Sequence, residues 1–246
     1  MSKRIVASIE ARMTSTRLPD KVLTTCLGRP MLELLLERLR RSKHVEHIVV
    51  ATTENATDDP IEALTQKLGV GCFRGSDNDV LGRVVGAMRE AEAAVIVQLT
   101  GDCPLMDAEI IDGLIETYLE GDFDCVTNTT VRSFPRGLDC TVVLMQVLAR
   151  SLEMAKDKAH HEHVSLCVFE NPEIFKIHNI EAQGRMRRPD LRWTLDTQQD
   201  LEFIDEIFTR LHPQKADFNS NDILDLLKNE PQLEKINQAI EQKKVR

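Results

Sequence analysis

Short runs of β-branched and aliphatic residues alternate with longer stretches whose apolar positions recur every three to four residues. Residues 4–9, 48–52, 94–99 and 124–128 are such runs, each ending in small or polar residues as central strands do where they enter loops. Between them, 30–41, 58–68, 79–91 and 107–119 carry helical spacing, and most open on Asp or Pro. Strand, helix, strand in strict turn predicts βαβ units around a mainly parallel sheet. After Asn128 the alternation breaks. Residues 131–144 hold Phe134, Pro135 and Gly137 before an alternating tail, which predicts a loop entering an antiparallel or edge strand. Helices are expected at 146–155, 162–170 and 197–211, and strands at 174–180 and 191–195. From about Ser220 the chain is polar and helical, with Leu224, Leu226, Leu227, Leu233 and Ile236 as a stripe that should pack on the outside. There is no repeat, low-complexity tract or Gly/Ser linker, so residues 1–246 are expected to form one α/β domain. It should carry a smaller antiparallel β-rich insertion and a helical tail over about 212–246.

Composition narrows the function. The 246 residues are 42% hydrophobic and 29% charged, the balance of a globular protein able to bury a sizeable core. Forty acidic against 31 basic residues leave a formal charge of -9, a surface that repels a phosphate backbone, so no nucleic-acid partner is expected. Six cysteines (Cys26, Cys72, Cys103, Cys125, Cys140 and Cys167) lie singly, with neither a zinc-ribbon nor a disulfide-ladder spacing. They read as reduced thiols. Without a secretory leader pattern or an apolar run of about 18 residues, the expected setting is the cytoplasm, with no membrane partner.

In open parallel sheets, ligands bind at the carboxyl ends of the strands, so the loops there are where chemistry is sought. The first such loop, Glu10 to Lys21, carries Arg12, Arg17 and Lys21 with Thr14, Ser15 and Thr16 between them. Cations and free backbone N–H groups in one strand-end loop can cradle a polyphosphate, though a solvated basic loop has the same composition. It matches neither the P-loop nor the dinucleotide glycine pattern. Thr100-Gly-Asp-Cys-Pro-Leu105 projects Asp102 from a strand end. The alternative is that Asp102 caps a turn. Leu191-Arg-Trp-Thr-Leu-Asp196 supplies a second acid in the same relation, which could equally be the N-cap of the helix at Thr197. Two carboxylates facing a basic loop are what metal-assisted phosphoryl or nucleotidyl transfer requires, because Mg²⁺ takes one or two protein carboxylates plus phosphate oxygens. His160-His161-Glu162-His163 lacks the spacing of a helical zinc site. Phe73-Arg-Gly-Ser-Asp-Asn-Asp79 could contact a base or ribose, and Phe134-Pro-Arg-Gly-Leu-Asp139 could present Arg136 to an acidic substrate. Both could equally be ordinary turns.

Taken in order, residues 9–23, Phe73-Arg-Gly-Ser76, Thr100 to Leu105 and Arg192-Trp-Thr-Leu-Asp196 resemble the cytidylyltransferase family over about residues 3–211. The closest branch is the spore-coat-polysaccharide, SpsF-like type, related to the synthetases that activate sialic acids and 3-deoxy-octulosonate. The resemblance implies a GT-A-like, Rossmann-like fold, Mg²⁺ as cofactor, CTP as donor and an acidic sugar as acceptor. It also implies an acceptor and dimerisation portion at about 129–180, and admits a homodimer. Residue by residue, it implies catalytic roles for Arg12, Lys21, Asp102 and Asp196. It implies nucleotide contacts from Ala11, Arg12, Ser15, Arg17, Lys21, Arg74, Gly75 and Asp102, and metal ligation by Asp102 and Asp196. The chain departs from that pattern twice. His161 stands where the branch often reads arginine, and Glu10, where glutamine or proline is usual, adds a negative charge near the phosphates. No separate strong general base is evident. A glycosyltransferase of the same fold, using Asp77-Asn-Asp79 as a D-x-D motif, and a catalytically silent nucleotide-binding module are the alternatives.

Overall fold

The computed structural model describes residues 4–242. Residues 1–3 and 243–246, the two ends of the expected domain and tail, lie outside the described residues. Four strands, β1 (Ile5–Glu10), β4 (His47–Thr53), β5 (Gly71–Gly75) and β6 (Val95–Thr100), run parallel, joined by α1 (Met31–Leu39), α2 (Asp59–Leu68) and α3 (Val80–Glu90). A two-residue hairpin, β2 (Thr25–Cys26) with β3 (Arg29–Pro30), leads into α1. Beyond β6 come α4 (Ala108–Glu120), β7 (Cys125–Thr127), β8 (Thr141–Leu144), α5 (Met145–Met154), α6 (Lys158–Glu162), α7 (Leu166–Phe169) and β9 (Ile177–Asn179). Two helices, α8 (Gln198–Leu211) and α9 (Ser220–Asn229), complete the chain, followed by a 3₁₀ turn at Leu233–Ile236. The seven-stranded order is β5-β4-β1-β6-β8-β7-β9, and β8 alone of the described strands in it runs against its neighbours.

The expected parallel strands and crossover helices form. The first three residues of the Phe73–Asp79 loop read from the sequence belong instead to a parallel strand, Gly71–Gly75, beside β4. The segment 131–144 does supply an antiparallel strand, but β8 lies inside the sheet between β6 and β7 rather than at an edge. Residues 191–195 make no strand: one parallel bridge, Arg136 to Arg192, links them to the 134–138 turn. Gly137 permits that approach. Its φ is +104°, and a Cβ there would lie 2.5 Å from the Trp193 carbonyl carbon.

Alternation of side chains along β1 assigns one layer of core to each sheet face. Ile5, Ala7 and Ile9 pack with Leu32, Leu35 and Leu36 of α1 and Ile111, Leu114 and Ile115 of α4. Val6 faces Val84, Val85 and Met88 of α3 and Val147 and Leu148 of α5. The tail packs through the expected stripe, of which Leu224, Leu227 and Leu233 are buried. Phe218, Ile223, Leu224, Leu227 and Leu233 are buried with Phe203, Ile207 and Phe208 of α8 and with Met31 and Leu34, the second stripe of α1. They close a third core beneath the 191–196 segment.

Candidate functional site

The loop after β1 is folded by its own backbone and by one buried acid. The Met13 carbonyl accepts from Ser15 N and Asp20 N, and Met13 N donates to Asp58 Oδ1 at 2.9 Å. Burial disfavours the Asp58 carboxylate, but hydrogen bonds from Thr53, Met13 and Thr52 outweigh it and hold the carboxyl below its ordinary range. Asp58 was not singled out from the sequence, and its position at the head of α2 gave no sign that it clamps a loop 45 residues away.

Lys21 lies at the bottom of this loop with its side chain 12% exposed, donating to Asp102 Oδ2 and to Asp196 Oδ1, each at 2.8 Å. The two acceptor oxygens are therefore within 5.6 Å of each other, at the mouth of β6 and in the segment before α8. Burial works against the ammonium, yet Asp102 and Asp196 together raise its pKa above the ordinary lysine value. Asp196 is likewise opposed by burial, but Lys21, Arg17 and Arg192 hold its carboxyl low. Arg17 meets Asp196 Oδ2 at 2.8 Å and Arg192 meets it at 2.9 Å.

Backbone contacts fix both acids. Gly101 N donates to the Glu10 carbonyl at 2.8 Å, and a Cβ on Gly101 would come within 2.9 Å of that oxygen, so β1 and the Asp102 loop close tightly only with glycine there. Thr100 Oγ1 donates to Asp102 Oδ1 at 2.6 Å. Leu195 N and Thr194 Oγ1 donate to the Asp102 carbonyl at 2.7 and 3.2 Å, tying the second acid's segment to the first acid's loop. Asp196 is not the helix cap. Thr197 is, in a capping box with Asp200, and Asp200 accepts from Arg192 while Arg192 holds Asp196. A threonine followed three residues later by an acid, before the apolar run of α8, is the sequence sign that would have found this.

These groups line a cavity of about 270 Å³ with Ala11, Arg12, Ser15, Thr16 and Arg17 on one side and Glu10, Arg83, Glu162 and His163 on the other. Arg12 pairs with Asp77 at 2.9 Å. Of the residues expected to touch the nucleotide, Arg74 and Gly75 do not line it. The Arg74 guanidinium donates to the Thr53 and Asn55 carbonyls and to Glu62, and it pairs with Asp59. Asp79 caps α3 through Gly82 N and also meets His161 Nδ1 at 2.9 Å, so Asp77-Asn-Asp79 is engaged on both sides. Beside this cavity lies a second of about 240 Å³, which shares Glu10, Thr100, Glu162 and His163 with it and continues to Thr129, Asp139, Thr141, Ser165 and Phe169. Glu10 does not simply add charge here: burial pushes its carboxyl up to about 7.

Among the described residues, no group of three or more His, Cys, Asp or Glu side chains is gathered for a metal. The Asp102 and Asp196 pair is a two-carboxylate set of hard oxygen donors converging on one cation, and this suits Mg²⁺ when phosphate oxygens supply further ligands.

A family model described as cytidylyltransferase matches residues 6–240. An uncharacterized protein of Methanocaldococcus jannaschii is 37% identical, covering 99% of this chain and 98% of that one. The spore coat polysaccharide biosynthesis protein SpsF of Bacillus subtilis is 34% identical over 92% of this chain and 95% of its own. A 3-deoxy-manno-octulosonate cytidylyltransferase of Bdellovibrio bacteriovorus is 32% identical over about half of each chain. Among solved structures, a cytidylyltransferase from Leptospira borgpetersenii superposes with a TM-score of 0.91 at 32% identity, covering 98% of this chain and 100% of that one. A CMP-2-keto-3-deoxy-manno-octonic acid synthetase complexed with CTP shares the fold, with a TM-score of 0.66 at 20% identity over 85% of this chain and 99% of that one.

Proposed function

Because the chain belongs to the cytidylyltransferase family, we propose that it transfers CMP from CTP to a hydroxyl of an acidic sugar. The acceptor is of the nonulosonic or octulosonic type, pyrophosphate is released, and the product feeds surface polysaccharide biosynthesis. The observation that supports this reading most is the convergence of Lys21, Arg12 and Arg17 from one strand-end loop on a cavity that Asp102 and Asp196 also line. Each of the three cations has a carboxylate partner that triphosphate oxygens can replace.

In this reading Lys21 and Arg12 bind the β- and γ-phosphates and neutralise the charge that develops on leaving pyrophosphate. Arg17 supports them from the rim. Ala11 and Ser15 line the same cavity, where Ser15 can offer its hydroxyl to the nucleotide. Asp102 and Asp196 would hold Mg²⁺, which when bound supplies charge neutralisation and polarises a phosphoryl oxygen. The second cavity receives the acceptor, bringing its hydroxyl to the wall shared with the nucleotide cavity. The reaction is set in the cytoplasm, with neither nucleic acid nor membrane as partner, and admits a homodimer. Among the described residues no helix is long and apolar enough to cross a membrane.

A pyrophosphate-release screen of the four nucleoside triphosphates against nonulosonic and octulosonic acids, with and without Mg²⁺, tests the proposal. CTP with one acidic sugar should turn over and EDTA should silence it. Release with a neutral sugar alone, or undiminished turnover after full chelation, would overturn the corresponding half of the reading.

A further inference from the structure

Glu10 is a carboxyl that the roles above do not use. It ends β1, beside Thr100 at the end of β6 in the sheet register, and it lines both cavities. Among the described residues its side chain has one hydrogen-bond donor. Gln98 Nε2 donates to Glu10 Oε1 at 2.7 Å, and the Gln98 amide is itself oriented by Ser165 Oγ, which donates to Gln98 Oε1 at 3.0 Å. One carboxyl oxygen is thereby fixed, and the residue stands on the wall where an acceptor in one cavity meets a nucleotide in the other.

We propose that Glu10 is the proton acceptor for the attacking hydroxyl. The proposal rests on the transferase reading given above. As the acceptor oxygen bonds to the α-phosphorus, its O–H bond breaks and the proton passes to the Glu10 carboxylate. The Pα–O bond to the β-phosphate breaks with its electron pair leaving on pyrophosphate. Glu10 then returns the proton to solvent.

The other acids are worse placed for this step. Asp196 is held low by Lys21, Arg17 and Arg192 after burial is overcome, and a carboxylate so stabilised is a weak base. Asp102 is engaged by Lys21 and Thr100. Glu10 differs because burial raises it, while Gln98 and Arg83 oppose that rise and Asp102 adds to it, leaving it at about 7. A base poised near the working pH balances the deprotonated fraction against proton affinity. The charged and titratable groups that face it are Arg83 from α3, Asp102 from the β6 loop, Arg12 and Lys21 from the first loop, and Glu162 and His163 from the end of α6.

The test is the pH profile of kcat for pyrophosphate release, from pH 5.5 to 9, in wild type and in Glu10→Gln, Glu162→Gln and His163→Asn. Glutamine keeps an oxygen for the Gln98 donor, so the fold should persist. Wild type should show an acidic limb, losing kcat on that side of the profile as the Glu10 carboxylate is protonated. Glu10→Gln should lose about 10²-fold in kcat at pH 8, lose the limb, and keep its affinity for CTP by calorimetry. The limb should remain in the other two variants. A second readout needs no turnover. Because the folded state raises the Glu10 carboxyl, Glu10→Gln should melt above wild type at pH 8, and the gap should shrink as pH falls toward the unfolded carboxyl value of about 4.3. Persistence of the limb in Glu10→Gln, its loss in Glu162→Gln or His163→Asn instead, a parallel fall in CTP affinity, or no difference in melting at pH 8 would each overturn the proposal. A wild type that turns over no acceptor fails the transferase reading, and the melting comparison still reports on Glu10.

Discussion

Arg38 and Lys21 are both largely withdrawn from solvent, and their surroundings differ in kind. Arg38, on α1, is 3% exposed and donates to the carbonyls of Met106, Phe218 and Leu105, with its guanidinium 4.3 Å from the centre of the Phe218 ring. Every partner is part of the fold. Burial pulls its pKa down to about 10, and no carboxylate touches it closely enough to reverse that. Lys21 is nearly as covered, but its partners are two carboxylates that face a cavity, and they win over desolvation. Carbonyl oxygens of a folded chain have no other occupation, whereas carboxylates opposite a cation can be exchanged for phosphate oxygens and a metal. The first arrangement holds the third core to the sheet. In the proposed reading the second is reserved for a ligand.

The sharpest way to break this comparison is to remove each cation. Lys21→Met should lower turnover by about 10²-fold or more, since it takes a preorganised charge from the leaving pyrophosphate, while the melting temperature falls less than in Arg38→Met because Arg17 and Arg192 still pair Asp196. Arg38→Met should do the reverse. Its loss leaves buried carbonyls without donors, at a cost of roughly 3 kcal/mol, or about 6–12 °C of melting temperature for a chain this size, with kcat per folded molecule within twofold of wild type. Calorimetry and pyrophosphate release on the same samples decide. A Lys21→Met protein that melts far below wild type would make that lysine structural too.

The paired acids sharpen the contrast within the site. Asp102→Asn and Asp196→Asn should each lose most activity, because an amide lacks the charge to hold Mg²⁺ against a triphosphate, and Asp102 should be the more severe. Their stabilities should part. Asp102 is a quarter exposed and has one cation, whereas Asp196 is 9% exposed and gathers Lys21, Arg17 and Arg192. The folded-state pKa of Asp196 is depressed, so its stabilisation is present above the unfolded carboxylate value of about 3.9 and is lost as pH falls below it. Wild type should therefore be more stable than Asp196→Asn at pH 6 in urea titrations, with the gap narrowing toward pH 3. A gap that stays constant with pH would mean the carboxylate charge contributes nothing to folding.

How much of this was legible in the sequence follows from the range of the interactions. Lys21 and Asp102 were readable as neighbours because both belong to loops that leave strand-like apolar runs, and a parallel sheet brings strand ends together. Asp196 was singled out by the same sign, although its run makes no strand and is carried to the site by hydrogen bonds to the 134–138 turn and the Asp102 loop. The parallel strands and crossover helices were readable from period alone. Asp58 and Arg83 were not, because what they hold is distant in sequence: Met13 is 45 residues from Asp58, and Arg83 reaches back to the Ala51 carbonyl. Residues 191–195 imitate a strand in composition, yet the 134–138 turn and the Asp102 loop take their backbone hydrogen bonds. The stripe of the tail was readable from its spacing, but its partner was not, since α1 is apolar on two sides and only the fold shows which side the tail meets.

The smallest expected effect lies where the two kinds of region meet. Thr197 caps α8, and its box partner Asp200 is fully buried, accepting from Arg192 Nε at 2.8 Å as well as from Asp196 N and Thr197 N. The cap is therefore the outermost link of a chain that runs from Asp200 through Arg192 to Asp196. Thr197→Ala removes one hydroxyl and leaves Asp200 with its guanidinium and both backbone donors. It should cost about 1 kcal/mol, as loss of a threonine cap ordinarily does, or roughly 2–4 °C of melting temperature. If the chain transmits no more than position, kcat should stay within about threefold of wild type, because Arg192 still holds Asp196 against Lys21. A loss of catalysis approaching that of Asp196→Asn, at full saturation and with the small melting shift intact, would show that the cap sets the geometry of the acid pair, and the division between structural and reserved charge would have to be drawn one residue further out.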